Sequence, residues 1–396
     1  MKLTALLLSL LAGAASGAHP LAREHEMASL RREHSEKVGR LLPKTNGEER
    51  ERGLQTTIPE APTSELTVAV DSFEELKEAI ASTTVATTVE VQQDIVFPAP
   101  VVIPAEATVW IVGSGSSAKK MDGASTSQHF IVYGKAWVEN LWVVNGFGAN
   151  GGSMVVKDGG SLSARKSTFM INTAFDTSTT AENETMPSAA PTTTPGAGPP
   201  DVGPAPEVRP YPGVGDGGAI AALNASLVDI QACEFLGNFA SRMGGAIVAE
   251  DSSSLSVSDS LFTMNECRVR DIDGLSFGGG ALAVIDASIL DVSSSSFLSN
   301  HALCSGGAIY GLGNLRMSIL DSFFEGNSLE FTNWTFMPHF GKAVAAFAVS
   351  ALETTNSVFS KHHWSVPLGP EPFYTYMWGA RRGRGIVQVH RGPLYE

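Results

Sequence analysis

GGAIAALNASLVDIQACEFLGN at residues 217–238, GGAIVAEDSSSLSVSDSLFTMN at 244–265, GGALAVIDASILDVSSSSFLSN at 279–300 and GGAIYGLGNLRMSILDSFFEGN at 306–327 are four copies of one pattern. In each copy the second glycine lies 17 residues before a phenylalanine and 20 before an asparagine. Outward from these, Gly152 stands in the same relation to Phe169 and Asn172, and a degenerate copy runs from Lys342 through Phe359 to His362. Two columns follow: Phe169, Phe235, Phe262, Phe297, Phe324 and Phe359, and Asn172, Asn238, Asn265, Asn300 and Asn327.

The period carries further information. Asn145 to Asn172, Asn238 to Asn265 and Asn300 to Asn327 are 27 residues, whereas Asn265 to Asn300 and Asn327 to His362 are 35. Asn172 to Asn238 is 66, one unit plus an insertion. The surplus always falls after the Asn, so the array keeps its loops on one edge and stacks continuously elsewhere. The insertion, 177–213, is a Thr/Pro/Gly tract that cannot bury enough apolar surface to order itself.

Within a unit, counting from the second glycine, apolar residues recur at offsets 2, 10 and 12, and small residues (Ser167, Cys233, Ser260, Ser295, Ser322, Ser357) at offset 15. The two-residue steps from 10 to 12 and from 15 to 17 are the strand period, which predicts three short strands per unit. Stacked units of this kind form an all-β, single-stranded parallel β-helix, and parallel crossovers make it right-handed. The phenylalanines and asparagines then lie one above another. A buried amide without partners costs about 1–3 kcal/mol, so the Asn column requires a hydrogen-bonded ladder.

The paired GGAI or GGAL and FxxN motifs at 217–238, 244–265, 279–300 and 306–327 resemble the polymorphic outer membrane protein repeat, a member of the pectin-lyase-like right-handed β-helices. The resemblance spans residues 151–362 and implies a β-helical passenger displayed outside the cell and associated with adhesion. The chain departs from bacterial members in showing no series of alternating strands for a membrane barrel after Trp364.

Upstream, residues 72–82 (SFEELKEAIAS) predict an amphipathic helix with Phe73, Leu76 and Ile80 on one face and Ser72 as N-cap, capping the first coil. Strand-like runs follow at 89–91, 95–97, 101–103, 109–112, 130–132 and 137–145, with Trp142 and Asn145 imitating FxxN. The organisation expected is a signal peptide at 1–18, a charged spacer at 19–64, cap and first coils at 65–176, the insertion at 177–213, repeat coils at 214–366 and a terminal cap or tail at 367–396. Lys2, the apolar run 3–12 and the small residues Ser16, Gly17 and Ala18 make the signal, which directs secretion. No later stretch reaches the roughly 20 apolar residues of a membrane helix.

A net charge of −14 removes nucleic acid from the partner classes, since phosphates demand a basic surface. Three cysteines are too few for a disulfide framework. Cys267 and Cys304, just past their asparagines on successive coils, are a candidate disulfide, and Cys233 reads as a packed thiol. Asn183, Asn224 and Asn333 open N-x-S/T sequons. No cofactor is called for by any motif.

The outward positions at offset 11 read Ser163, Asp229, Ser256, Asp291, Ser318 and Glu353. Asp229 and Asp291, two rungs or about 9.5 Å apart, form the one candidate catalytic pair, at the upper edge of the spacing for an inverting glycosidase. The same face shows no accompanying column of Lys, Arg or His. Asp271 and Asp273, in the loop between two coils, are a weak Ca²⁺ candidate. Aromatics from Trp334 to Trp378 suit either stacking on sugars or covering the last coil. The function expected is therefore a secreted, non-catalytic surface for adhesion or for binding a glycan or protein. The competing reading is an extracellular polysaccharide hydrolase or lyase.

Overall fold

The computed structural model describes residues 64–175, 215–268, 278–286, 288–303, 305–313, 315–329, 341–347 and 349–360, with the strands His363–Trp364, Phe373–Tyr376 and Gln388–Val389. These residues form a parallel β-helix. Its strands lie in four all-parallel sheets of eleven, nine, nine and seven strands, each strand inside a sheet pairing with its equivalents one coil below and one above.

Each repeat coil contributes four strands, one more than the sequence period predicts. In the coil around Phe262 they are Ile247–Ala249, Ser254–Ser258, Leu261–Thr263 and Glu266–Cys267. The fourth has two residues, too short to leave a periodic trace. It follows the Asn directly, so the seven-stranded sheet lies on the edge where the insertions leave the stack.

The core is a set of columns. Phe169, Phe235, Phe262, Phe297, Phe324 and Phe359 stack with ring centroids 4.7–4.9 Å apart and planes within 13° of parallel. Burial of each ring contributes roughly 1.5–3 kcal/mol. Beside them each asparagine of the ladder touches the coils on both sides. Asn265 Nδ2 donates to Phe235 O of the coil below (3.0 Å) and to Asn300 Oδ1 of the coil above (3.0 Å). Its Oδ1 accepts from Asn238 N (3.1 Å) and Asn238 Nδ2 (2.9 Å). Both N–H donors and both acceptor positions of the amide are thus used inside a buried corner, which is why the residue is Asn rather than Asp or Leu.

The small residues at offset 15 form a second ladder. Ser260, Ser295 and Ser322 each accept from the backbone N–H of the equivalent residue one coil below, at 3.1–3.3 Å, and each donates to the carbonyl two residues back at 2.7 Å. Cys233 replaces one hydroxyl, its thiol reaching Gln231 O at 3.4 Å.

The glycine pairs have two separate causes. The first glycine is left-handed, as at Gly244 (φ +62). The second sits where coils touch: a Cβ on Gly245 would lie 2.1 Å from Gly280 O. Other corners use the left-handed region without glycine, as at Ala232, Asp259, Ser294 and Asp321.

The helix α1, Phe73–Ala81, covers the first coil. Ser72 is its N-cap, accepting from Glu75 N; Leu76, Ala79 and Ile80 are buried, and Phe73 meets Phe97 edge-on at 5.5 Å. In the early coils one expectation is corrected. Phe169 pairs with Val143, not Trp142, so the position below Asn172 is Gly146, whose N–H donates to Asn172 Oδ1 at 2.8 Å. The Asn145 spacing of 27 was one residue out of register with the ladder. Asn145 is instead a left-handed corner (φ 53) whose Nδ2 donates to Asp122.

Candidate functional site

Strand alternation sends offsets 10 and 12 into the core and offsets 9, 11 and 13 outward, and the eleven-stranded sheet aligns them. Its central outward column runs Trp110, Trp137, Ser163, Asp229, Ser256, Asp291, Ser318, Glu353, each paired in register with the next. Carboxylates therefore occupy alternate rungs, about 9.5 Å apart. On one flank stand Lys135, Ser161, Leu227, Ser254, Ile289 and Arg316; on the other, Glu139, Arg165, Gln231, Ser258, Ser293 and Leu320.

Asp229 and Asp291 lie on the same column with Ser256 between them, and their surroundings differ. Ser163 Oγ donates to Asp229 Oδ2 at 3.3 Å and Ser256 also bonds the carboxylate, while Oδ1 is buried with no partner. Burial raises the Asp229 carboxyl above the ordinary aspartate value, against the opposing pull of both serines and of Arg165. Asp291 is also raised by burial; Arg316, whose Nη2 lies 3.6 Å away, opposes the shift and Glu353 adds to it. The face carries no column of basic residues, but it does hold two single arginines. Arg165 and Arg316 flank the acids individually, on opposite sides, so they form no column and leave no periodic signal.

Among the described residues no group of three or more His, Cys, Asp or Glu is placed to hold a metal ion. Asp271, Asp273, Cys304, Asn183 and Asn333 lie outside the described residues, as do the segments 1–63 and 176–214. Cys267 is buried, with its Sγ 2.8 Å from Arg242 O. Asn224 is exposed on a left-handed turn, its Nδ2 donating to Asp158 at 2.8 Å. Of the C-terminal aromatics, Trp364, Phe373, Tyr374 and Tyr376 lie in strands that continue the stack.

One charged cluster escaped sequence reasoning. At a coil corner Arg242 grips Asp216 through Nε (2.8 Å) and Nη2, and Nη2 also reaches Glu250 Oε1 at 3.4 Å. Burial raises both carboxyls, and Glu250 is pushed up to about 8 by burial first and then by the Asp216 charge, Arg242 opposing. Two acids share one arginine, so Glu250 carries the proton at neutral pH. The signal available was departure from the repeat: Leu223, Ile285 and Leu312 fill the position of Glu250 in other coils. Removing Arg242 or Asp216 leaves the other's buried charge uncompensated, which marks the cluster as a structural clasp.

The columns and sheets define a solenoid of the parallel β-helix class. Residues 294–312 match the Chlamydia polymorphic membrane protein (Chlamydia_PMP) repeat, the segment that carries the FxxN half of one unit and the GGAI of the next. The chain is thus a parallel β-helix, one stretch of which is similar to that repeat. No curated protein matches it. Among the described residues no helix is long and apolar enough to cross a membrane.

Proposed function

We propose that this protein is secreted or displayed at the cell surface, and that its β-helix presents an extended outer face for adhesion, binding a glycan or a surface protein without catalysing a reaction. The observation that carries the reading is the register of the eleven-stranded sheet. A serine rung separates Asp229 from Asp291, and each acid is engaged by its own neighbours, Ser163 and Ser256 for one and Arg316 for the other. Carboxylates spread at a fixed pitch along a flat sheet suit an elongated ligand. The polymorphic membrane protein repeat supports a surface location, and the signal-like residues 1–18 support export. Protein recovered from the medium of expressing cells is expected to begin at His19, and purified protein is expected to bind immobilised glycans or intact cells. Retention inside cells with Met1 in place, together with no binding to cells, matrix or glycans, overturns the proposal.

A second reading, a polysaccharide hydrolase or lyase, is favoured by one observation: burial raises the Asp229 carboxyl, as a general acid requires. Release of reducing or unsaturated sugars from acidic polysaccharides, with and without Ca²⁺, tests it. Turnover abolished by Asp229→Asn or Asp291→Asn establishes the enzyme.

A further inference from the structure

We propose that the outward face of the eleven-stranded sheet docks an extended, proline-rich peptide carrying a lysine or arginine at every third residue. The inference rests on the reading of this face as a binding surface and names the chemistry of the partner.

The pitch selects the ligand conformation. Asp229, Asp291 and Glu353 occupy alternate rungs of one column, so their backbone spacing is about 9.5 Å. A polyproline II helix has three residues per turn and rises about 3.1 Å per residue, which puts every third side chain about 9.3 Å apart. The mismatch stays below about 1 Å over three carboxylates. An extended β-strand repeats its faces at about 6.8 Å and an α-helix at about 5.4 Å, and neither interval divides the carboxylate spacing.

The apolar side chains follow the same pitch. Leu227 and Ile289, 53% and 40% exposed, stand in the same strands as Asp229 and Asp291. The strand between them presents only Ser254, Ser256 and Ser258, leaving a shallow trough. Each alternate rung thus offers one hydrophobic contact and one carboxylate, which is what a Pro-x-Arg triplet presents.

Unsatisfied groups at the start of the column supply the hydrogen-bond chemistry. Trp137 is 6% exposed and its indole N–H has no acceptor, Arg165 Nε has none, and Asp229 Oδ1 has no donor. A polyproline II peptide makes no internal hydrogen bonds, so its carbonyls are available to the two donors while a basic side chain serves the carboxylate. Prolines dock on aromatic-lined surfaces by this chemistry, and Trp110 is the half-buried neighbour of Trp137. Trp137 must tip outward to reach a ligand, which predicts a change in its emission. Arg316 lies against Asp291 and must yield that carboxylate to the incoming cation or share it.

The test uses the full chain and labelled peptides followed by fluorescence anisotropy. A peptide of four Pro-Pro-Arg triplets is compared with one of identical composition whose arginines are clustered at one end. The triplet peptide is expected to bind at least about tenfold more tightly, with affinity falling as salt rises. Asp229→Asn and Asp291→Asn are each expected to weaken it several-fold, and Ser256→Arg, which fills the trough with a positive charge, to abolish it. The emission shift on binding is expected to disappear in Trp137→Phe. Circular dichroism establishes that each variant is folded. Equal binding of the clustered peptide shows simple charge attraction and overturns the proposal. So does a glycan bound on this face, recognised by its loss in Ser256→Arg. If no peptide binds while the protein still attaches to cells or matrix, this proposal fails and the adhesive reading stands.

Discussion

Replacing Asn265 by alanine tests whether the asparagine ladder holds the coils together. The substitution removes the acceptor for Asn238 N and Asn238 Nδ2 and the donor for Phe235 O, three groups in a corner where Asn238 and Asn265 are fully buried. Asn300 Oδ1 also loses one donor but keeps Asn265 N at 3.0 Å. Each buried group left unsatisfied costs about 1–3 kcal/mol, so the sum is about 3–9 kcal/mol, with the lower half expected if water enters the gap. Urea denaturation of wild type and variant, monitored by circular dichroism, measures it as a shift in midpoint at constant slope. Asn265→Asp sharpens the test, because an ionised carboxylate cannot donate to Phe235 O or Asn300 Oδ1. The folded state holds that carboxyl protonated and its pKa raised. Its deficit is therefore expected to shrink as pH falls toward 4 and to grow as pH rises above the unfolded aspartate value. A loss below about 1 kcal/mol for Asn265→Ala, or a pH-independent deficit for Asn265→Asp, would refute the claim that the amide hydrogen bonds stabilise the stack.

Gly245→Ala places a methyl 2.1 Å from Gly280 O and 2.6 Å from Glu266 N, so a loss of at least about 2–3 kcal/mol is expected; Gly159→Ala, at positive φ but in open space, is expected to cost only about 1 kcal/mol. The two are compared by urea midpoints, and equal losses would remove coil contact as the cause. His129 is buried, with Nδ1 on Ser153 Oγ and Nε2 on Met121 O, and desolvation lowers its pKa to about 4 against 6.5 unfolded. The unfolded chain binds the extra proton, so stability is expected to fall by up to about 3 kcal/mol as pH drops from 6.5 to 4, a slope absent in His129→Gln. Cys233→Ser restores the hydroxyl ladder and is expected to leave stability unchanged or raise it by up to about 1 kcal/mol, read as the change in thermal midpoint.

What could be read from the residues was what every coil repeats. The Phe and Asn positions recur at one offset because each must meet its counterpart across a sheet spacing, and a constant geometric demand writes a constant spacing. The two-residue strand after each Asn left no trace, since alternation needs more residues than Glu266–Cys267 supplies. The early coils lack the strict motif, so Asn145 looked like a ladder member although the register places Gly146 there. Arg165, Arg316 and the Asp216–Arg242–Glu250 clasp each occur once, and a search for recurrence passes over them. In a solenoid, the positions that break the pattern need reasons of their own, and those reasons are three-dimensional.

The asparagine amides all point the same way. From Asn172 through Asn300 each sends one N–H forward to the coil that follows, and Asn238, Asn265 and Asn300 each receive two from the coil that precedes. The lower end is closed by the Gly146 N–H, and the forward donors from Asn172 through Asn300 find their acceptor only in the winding that comes next in the chain. The stack therefore has a finished face and a growing face. A chain emerging N-terminus first lays down each coil on a template already complete beneath it, so assembly can keep pace with synthesis and run in a single direction.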